Sequence, residues 1–295
     1  VVTRATKSTW LSFAAGAMNR LYRSCESDVV SMNSTASADD SSAENTAASP
    51  SVPMAAGRPL TRIIGSAESL SAYRDQLSPE DQRGLAEAIH SVVGGTISND
   101  YRDVRITTAS GRTWKVVPDG SLSGGENSGE IVSPVLGYDD IEELQDIIRA
   151  VRTAGARTDH STGIHIHVGA ESFDAKSVVN LVKLVHKQER LLEHALGVSE
   201  QRLARYCRPI EARFIEALEA RRPKTMSDVR DAWYGRSGET PSRYHSSRYH
   251  GLNLHATFTK GTVEFRLFNG TLHSGEIKAY IQFCLAVASI SRVNS

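Results

Sequence analysis

Gly163-Ile-His165-Ile-His167-Val-Gly169 carries two imidazoles two residues apart, and successive side chains of a β-strand point to opposite faces. His165 and His167 therefore project to one side while Ile164, Ile166 and Val168 pack on the other. Two imidazoles side by side on a polar face can hold a divalent metal or a phosphate. A His-X-His pair can equally be ordinary strand surface, so its context decides. The flanking glycines let a ligand or a neighbouring strand come close. Thr262-Val-Glu264-Phe-Arg266-Leu-Phe268 repeats the alternation, with Val263, Phe265 and Leu267 on one face and Glu264 and Arg266 on the other. Asn253-Leu-His255-Ala-Thr257 reads as a third strand, joined to the second in a hairpin turned by Lys260-Gly261. Three strands with one apolar and one partly ionisable face imply an antiparallel sheet whose outer face is a site for a charged ligand. Because that face reads as polar rather than packed, replacing Glu264 with Ala is expected to leave the fold intact.

The elements that must position these residues alternate along the chain. Ser78-Pro79 opens a helix that runs to Val93 and stops at Gly94-Gly95. Strands at Val104–Thr108 and Arg112–Val117 are joined by Ser110-Gly111, and Gly129 to Pro134 reads as a short strand. A helix over Asp139–Thr153 follows, with Ile141, Leu144, Ile147, Ile148 and Val151 at helical spacing. The longest helix is expected over Asp174–Leu196, with Val178, Leu181, Val182, Val185, Leu191 and Leu192 on its buried side. An arginine-rich region spans 202–222, a polar loop surrounds 235–247, and a last helix starts at Ser274 and reaches about Ile290. This order describes an α+β domain, a mainly antiparallel sheet covered by helices on one face, with the other face left for substrates.

A chain of 295 residues could hold two average domains, yet residues 31–58 are rich in Ser, Ala, Thr and Pro and lack aromatics. They read as a disordered linker, so the domains are an extension over 1–59, disordered or partly helical around Thr9–Arg23, and one folded unit over 60–295. With 34 basic and 34 acidic residues, the chain lacks the general charge that nucleic acid or an acidic membrane would attract. Cys25, Cys207 and Cys284 are far apart and odd in number, which fits a reducing cytoplasm and argues against a thiolate zinc site. No apolar run approaches the roughly 20 residues that span a bilayer. The basic, then briefly apolar start imitates a signal peptide, but its core is short and interrupted by serine.

Six motifs, in order, resemble the amidoligase family, a branch of the glutamine synthetase-like carboxylate-amine ligases. They are Trp114-Lys-Val-Val-Pro-Asp119-Gly-Ser-Leu, Gly129-Glu130-Ile-Val-Ser-Pro134, the His165-His167 strand, Arg205-Tyr-Cys-Arg208-Pro, Leu252-Asn253-Leu-His255, and Thr262-Val-Glu264-Phe-Arg266-Leu-Phe-Asn269-Gly270-Thr271-Leu. The resemblance covers about residues 80–290. It implies a glutamine synthetase catalytic-domain-like fold and an ATP-dependent ligase that activates a carboxylate as an acyl phosphate for attack by an amine. Its cofactors would be ATP and Mg²⁺, with Mn²⁺ as a substitute, and its partners small-molecule or peptide carboxylates and amines. By the same resemblance Glu130, His165 and Glu264 are metal ligands and His167 lies beside the nucleotide, since hard cations take oxygen ligands with an occasional imidazole. Arg266 and Glu264 carry the catalytic role, the guanidinium meeting the transferring phosphoryl group with its flat fork. Arg205, Arg208 and Arg248 meet phosphate or substrate carboxylate, or are solvated arginines, and Asn269 fixes a polar group of the ligand.

One departure accompanies the match. Members of this family normally begin with a strand resembling Phe-Gly-Val-Glu-Ile-Glu, whose paired acids hold both metals, whereas this chain has Thr61-Arg-Ile-Ile-Gly65-Ser-Ala-Glu68. Either Glu68 and another acid substitute as metal ligands, or the region is rearranged and activity is weak or absent. The alternative function is then a catalytically silent relative that binds nucleotide or peptide. A cupin barrel, suggested by His165, His167 and Glu171, is disfavoured because the helical pattern from Asp174 replaces the next strand.

Overall fold

The computed structural model describes residues 2–3, 79–100, 103–118, 129–159, 161–236, 238, 242 and 244–293. Helix α1 (Pro79–Val93) ends where Gly94 and Gly95 take positive φ, a backbone region open to glycine without penalty. It packs on a four-stranded antiparallel sheet, β2 (Thr96–Asn99), β3 (Val104–Thr107), β4 (Thr113–Val117) and β5 (Glu130–Val132). The alternation of Val104, Ile106, Trp114 and Val116 buries one face of that sheet against α1. A five-stranded sheet follows in the order β6-β1-β7-β9-β8. Its strands are β1 (Val2–Thr3), β6 (Val135–Leu136), β7 (Gly163–Gly169), β8 (Leu252–Asn253) and β9 (Thr262–Asn269). The β7-β9-β8 part is antiparallel, while β1 pairs parallel with both β6 and β7.

Helices α2 (Ile141–Thr153), α3 (Ala175–Ala195) and α8 (Ser274–Val293) pack together, and α8 lies on β7. Short helices α4 (Glu200–Arg205), α5 (Ala212–Arg221) and α6 (Met226–Tyr234) follow α3, and α7 (His255–Lys260) lies between β8 and β9. One buried apolar cluster runs from Ile106 and Trp114 to Ile166, Phe265 and Ile281, so the two sheets share a core. The molecule is α+β, as its element order implies.

Several expectations are corrected. Residues 255–260 form a helix, not a strand: the amide of His255 donates to Asn253 Oδ1 (2.8 Å), Thr259 Oγ1 donates to the His255 carbonyl (2.7 Å), and the turn closes at Gly261 with φ +69°. An asparagine oxygen that takes a first-turn amide starts a helix where strand periodicity alone would continue. On α3, Leu191 is exposed, because the buried stripe runs Val178, Val182, Val185 and then Glu189. Thr96–Asn99 and Met226–Tyr234 are regular elements that the hydrophobic pattern did not reveal. Val2–Thr3 pair with β6 and β7 at the edge of the described chain. The proposed linker, the helix over 9–23, Cys25, Glu68 and Asp119 lie outside the described residues.

Candidate functional site

The site is built where β7, β9 and β8 lie side by side. Glu264 is the register partner of both His167 on β7 and Asn253 on β8, which sets three polar side chains in one row. Between Ile164 and Ile166 the pairing slips: Ile164 faces Phe268 and Ile166 faces Phe265, so β9 carries one residue more than β7 opposite His165. Such a bulge breaks strict alternation and re-aims the side chains next to it. Phe268, not Leu267, therefore joins Val263 and Phe265 on the apolar face, where its ring stacks on Tyr280 of α8 at 4.3 Å. Arg266 is turned toward Glu264.

Glu264 is the hub. Its Oε1 accepts from Arg266 Nη1 at 2.7 Å and lies 3.6 Å from His165 Nδ1 and 3.5 Å from His167 Nε2, while its Oε2 accepts from Asn253 Nδ2 at 2.6 Å. Asn253 is oriented in turn by the His255 amide on its Oδ1, and His167 Nδ1 pairs with Thr262 Oγ1 at 2.8 Å. The polar face is not an open surface, as its pattern suggested. Glu264 is 3% and Arg266 6% exposed, because the chain between α4 and β8 folds over them. Arg266 Nε donates to the Tyr206 carbonyl, and its guanidinium lies 5.9 Å from the centre of the Tyr249 ring. His165, with 29% of its side chain exposed, is the member that reaches solvent.

Burial and charge act together here. Burial alone would push the Glu264 carboxyl up, but Arg266, His167 and His165 outweigh it and hold it well below the usual carboxylate range. Burial lowers His167 to about 4 against the pull of Glu264, and burial with Arg266 holds His165 below its ordinary value. Both imidazoles are therefore neutral at pH 7, with a lone pair on one nitrogen each.

A second guanidinium, which the sequence pattern did not single out, lies behind the first. Arg202 is 2% exposed; its Nη1 donates to the Thr162 carbonyl (2.8 Å), its Nη2 to the Arg266 carbonyl (3.1 Å), and its Nε has no hydrogen-bond partner. It fills the space left by Gly163, where a Cβ would stand 2.3 Å from Nη2. The sequence signal for it is that glycine, whose reason appears only when Arg202 is in place. Cys207 is buried near it, and burial raises the thiol's pKa against the pull of Arg202.

Arg248 lies over the other side of the neighbourhood, 5.3 Å from the Tyr249 ring centre. Arg208 Nη2 donates to the Ser246 carbonyl, Arg205 is exposed at the end of α4, and Asn269 Nδ2 donates to the Gly197 carbonyl at 2.9 Å, tying β9 to the end of α3. Glu130 stands on β5, in the other sheet, paired in register with Val117. Among the described residues no group of three His, Cys, Asp or Glu side chains is arranged to hold a metal ion. A carboxylate whose oxygens are taken by Arg266 and Asn253 offers little to a cation, and the described residues alone do not make a magnesium cage.

An α+β fold in which a buried histidine, glutamate and arginine stand in a row with a second histidine that reaches solvent is the class that the molecule defines. A sequence profile of the family described as putative amidoligase enzyme matches residues 80–288, the span that holds both sheets apart from β1, and the chain belongs to that family. No curated protein and no solved structure is significantly similar to it. Among the described residues no helix is long and apolar enough to cross a membrane.

Proposed function

We propose that the chain is an ATP-dependent carboxylate-amine ligase whose site is the row around Glu264. The family points to ligase chemistry, and the observation that supports the site is the meeting of His165, His167, Glu264, Arg266 and Asn253 from three strands. In this reading the substrate carboxylate attacks the γ-phosphorus of ATP, ADP leaves, and an amine displaces phosphate from the acyl phosphate, with its proton passing to a base. Arg266 Nη2, which none of these bonds uses, would meet a phosphoryl oxygen, and His165 stands at the solvent side of the row. Mg²⁺, usually bound by one or two carboxylates with waters and substrate phosphates, would neutralise phosphate charge. The ligands implied for it are Glu264, His165, Glu130 and Glu68, of which the described structure brings Glu264 and His165 together. His167, Arg205, Arg208, Arg248 and Asn269 complete the proposed nucleotide and substrate contacts, and the kinship with glutamine synthetase belongs to the same proposal.

The saturated hydrogen bonding of Glu264 favours a second reading, a relative that binds nucleotide or peptide without turnover. Release of ADP from Mg²⁺-ATP, with mixed carboxylates and amines present, separates the two. The ligase reading expects turnover that falls by at least about a hundredfold in Glu264→Gln. Nucleotide binding with no turnover in the unaltered chain would replace it with the silent binder.

A further inference from the structure

Outside the row, α5 and α6 enclose a cleft of about 200 Å³. Its walls are Phe214 and Trp233, whose rings meet edge to face at 4.9 Å, with His250 5.3 Å from Trp233. Trp233 Nε1 donates to Ser247 Oγ at 3.0 Å, which holds the indole as a fixed wall. Ligand pockets generally run from about 300 Å³ upward, so this cleft suits a single side chain rather than a nucleotide.

Charge at its mouth is uneven. The lining includes Glu211, Arg213 and Arg221, two guanidiniums against one carboxylate, and Glu211 is already paired with Arg213. Arg221, in the last turn of α5, makes no ion pair among the described residues. Aromatic walls below a free guanidinium complement an apolar group that carries a carboxylate. The cleft also adjoins the row. His250 is three residues from Asn253, a span of at most about 10 Å of chain, and Gly251 between them accepts the Arg266 amide at 2.7 Å.

We propose that this cleft is a substrate subsite that takes an aromatic or branched side chain bearing a nearby carboxylate, as at the end of a peptide or in an amino acid. Its role as a substrate subsite rests on the ligase reading; its binding chemistry does not. The carboxylate it holds is the recognised group, distinct from the one activated at the row. Calorimetric titration of the full chain with 3-phenylpropionate, in the absence of ATP, tests it. The expected result is millimolar binding, weakened about tenfold in Arg221→Gln and abolished in Ala217→Leu, which fills the cleft from the half-buried face of α5, while both variants keep the unaltered melting temperature. No binding, equal binding of neutral 3-phenylpropionamide, or preference for cationic phenethylamine would overturn the proposal. A chain that binds the carboxylate yet never turns over ATP would remove the ligase reading and leave the subsite standing.

Discussion

Glu264 and Arg266 lie two residues apart on one face of β9, and the chain between α4 and β8 shuts their contact away from water. The expectation that Glu264→Ala leaves the fold intact gives way for this reason. A carboxylate that is 3% exposed and bonded to Arg266 and Asn253 cannot be deleted without stranding a buried guanidinium, a loss on the order of 3–5 kcal/mol. Arg266→Lys should show the same dependence more mildly. One ammonium cannot serve Glu264 Oε1 and the Tyr206 carbonyl in the fork geometry of arginine, so melting should report a loss of about 1–3 kcal/mol. ADP release should fall about ten- to a hundredfold. Unaltered kinetics in a folded Lys variant would demote Arg266 from the site to its scaffold.

At the scale of elements, two buried ionisable groups hold neighbouring pieces in place. Arg202, on α4, bonds carbonyls at the start of β7 and in the β9 bulge, and Gly163 leaves room for it. In Gly163→Ala the new methyl would need the guanidinium to move, so a stability loss of about 1–3 kcal/mol is expected in denaturant titration, together with weaker turnover because the bulge moves with it. A variant as stable as the parent would mean that Arg202 swings aside freely. On α3, Glu189 takes a place in the apolar stripe and accepts the Ile210 amide at 3.0 Å, anchoring the entry to α5. Burial raises its carboxyl to about 7 from the ordinary 4.5, against the Ile210 bond. Between those values the folded state keeps a proton that the unfolded chain has released, so this group's contribution falls as pH rises toward 7 and then levels. His167, lowered to about 4, acts the other way, adding stability as pH rises from about 4 to 6.5. Comparing Glu189→Gln with the parent isolates the first effect: the variant should gain in relative melting temperature between pH 5 and pH 8. Parallel profiles would show that Glu189 ionises in the fold as easily as in water.

Across the whole molecule, a single apolar cluster joins the helix-backed sheet of Trp114 to the part of the fold that holds Trp233. Shared packing of this kind predicts one cooperative transition. With Trp10 and Trp233 both changed to Phe, the fluorescence of Trp114 should follow the same denaturant midpoint as the far-ultraviolet helical signal. With Trp10 and Trp114 changed, Trp233 should do likewise. Separate midpoints for fluorescence and helix would divide the fold into independently melting units. The balanced charge of the chain bears on ligands rather than on the fold, since it leaves local fields, such as the guanidinium excess at the α5–α6 cleft, to choose what binds.

Periodicity along the chain was enough to place α1, the β3–β4 hairpin, α2, most of α3 and α8, because each buries one stripe whose spacing is local. The His165–His167 and Glu264–Arg266 pairs were legible for the same reason, and the motifs around them sufficed to indicate the family. What covers a polar face, by contrast, comes from residues distant in the chain. Tyr206, Asn253, Tyr249 and Arg202 turned an expected open surface into a buried row, the turn in which Asn253 Oδ1 takes the His255 amide turned a strand into α7, and Glu130 came to rest on another sheet. Alternation records which side a residue faces; only tertiary packing decides whether that side meets water, another sheet or a second charge.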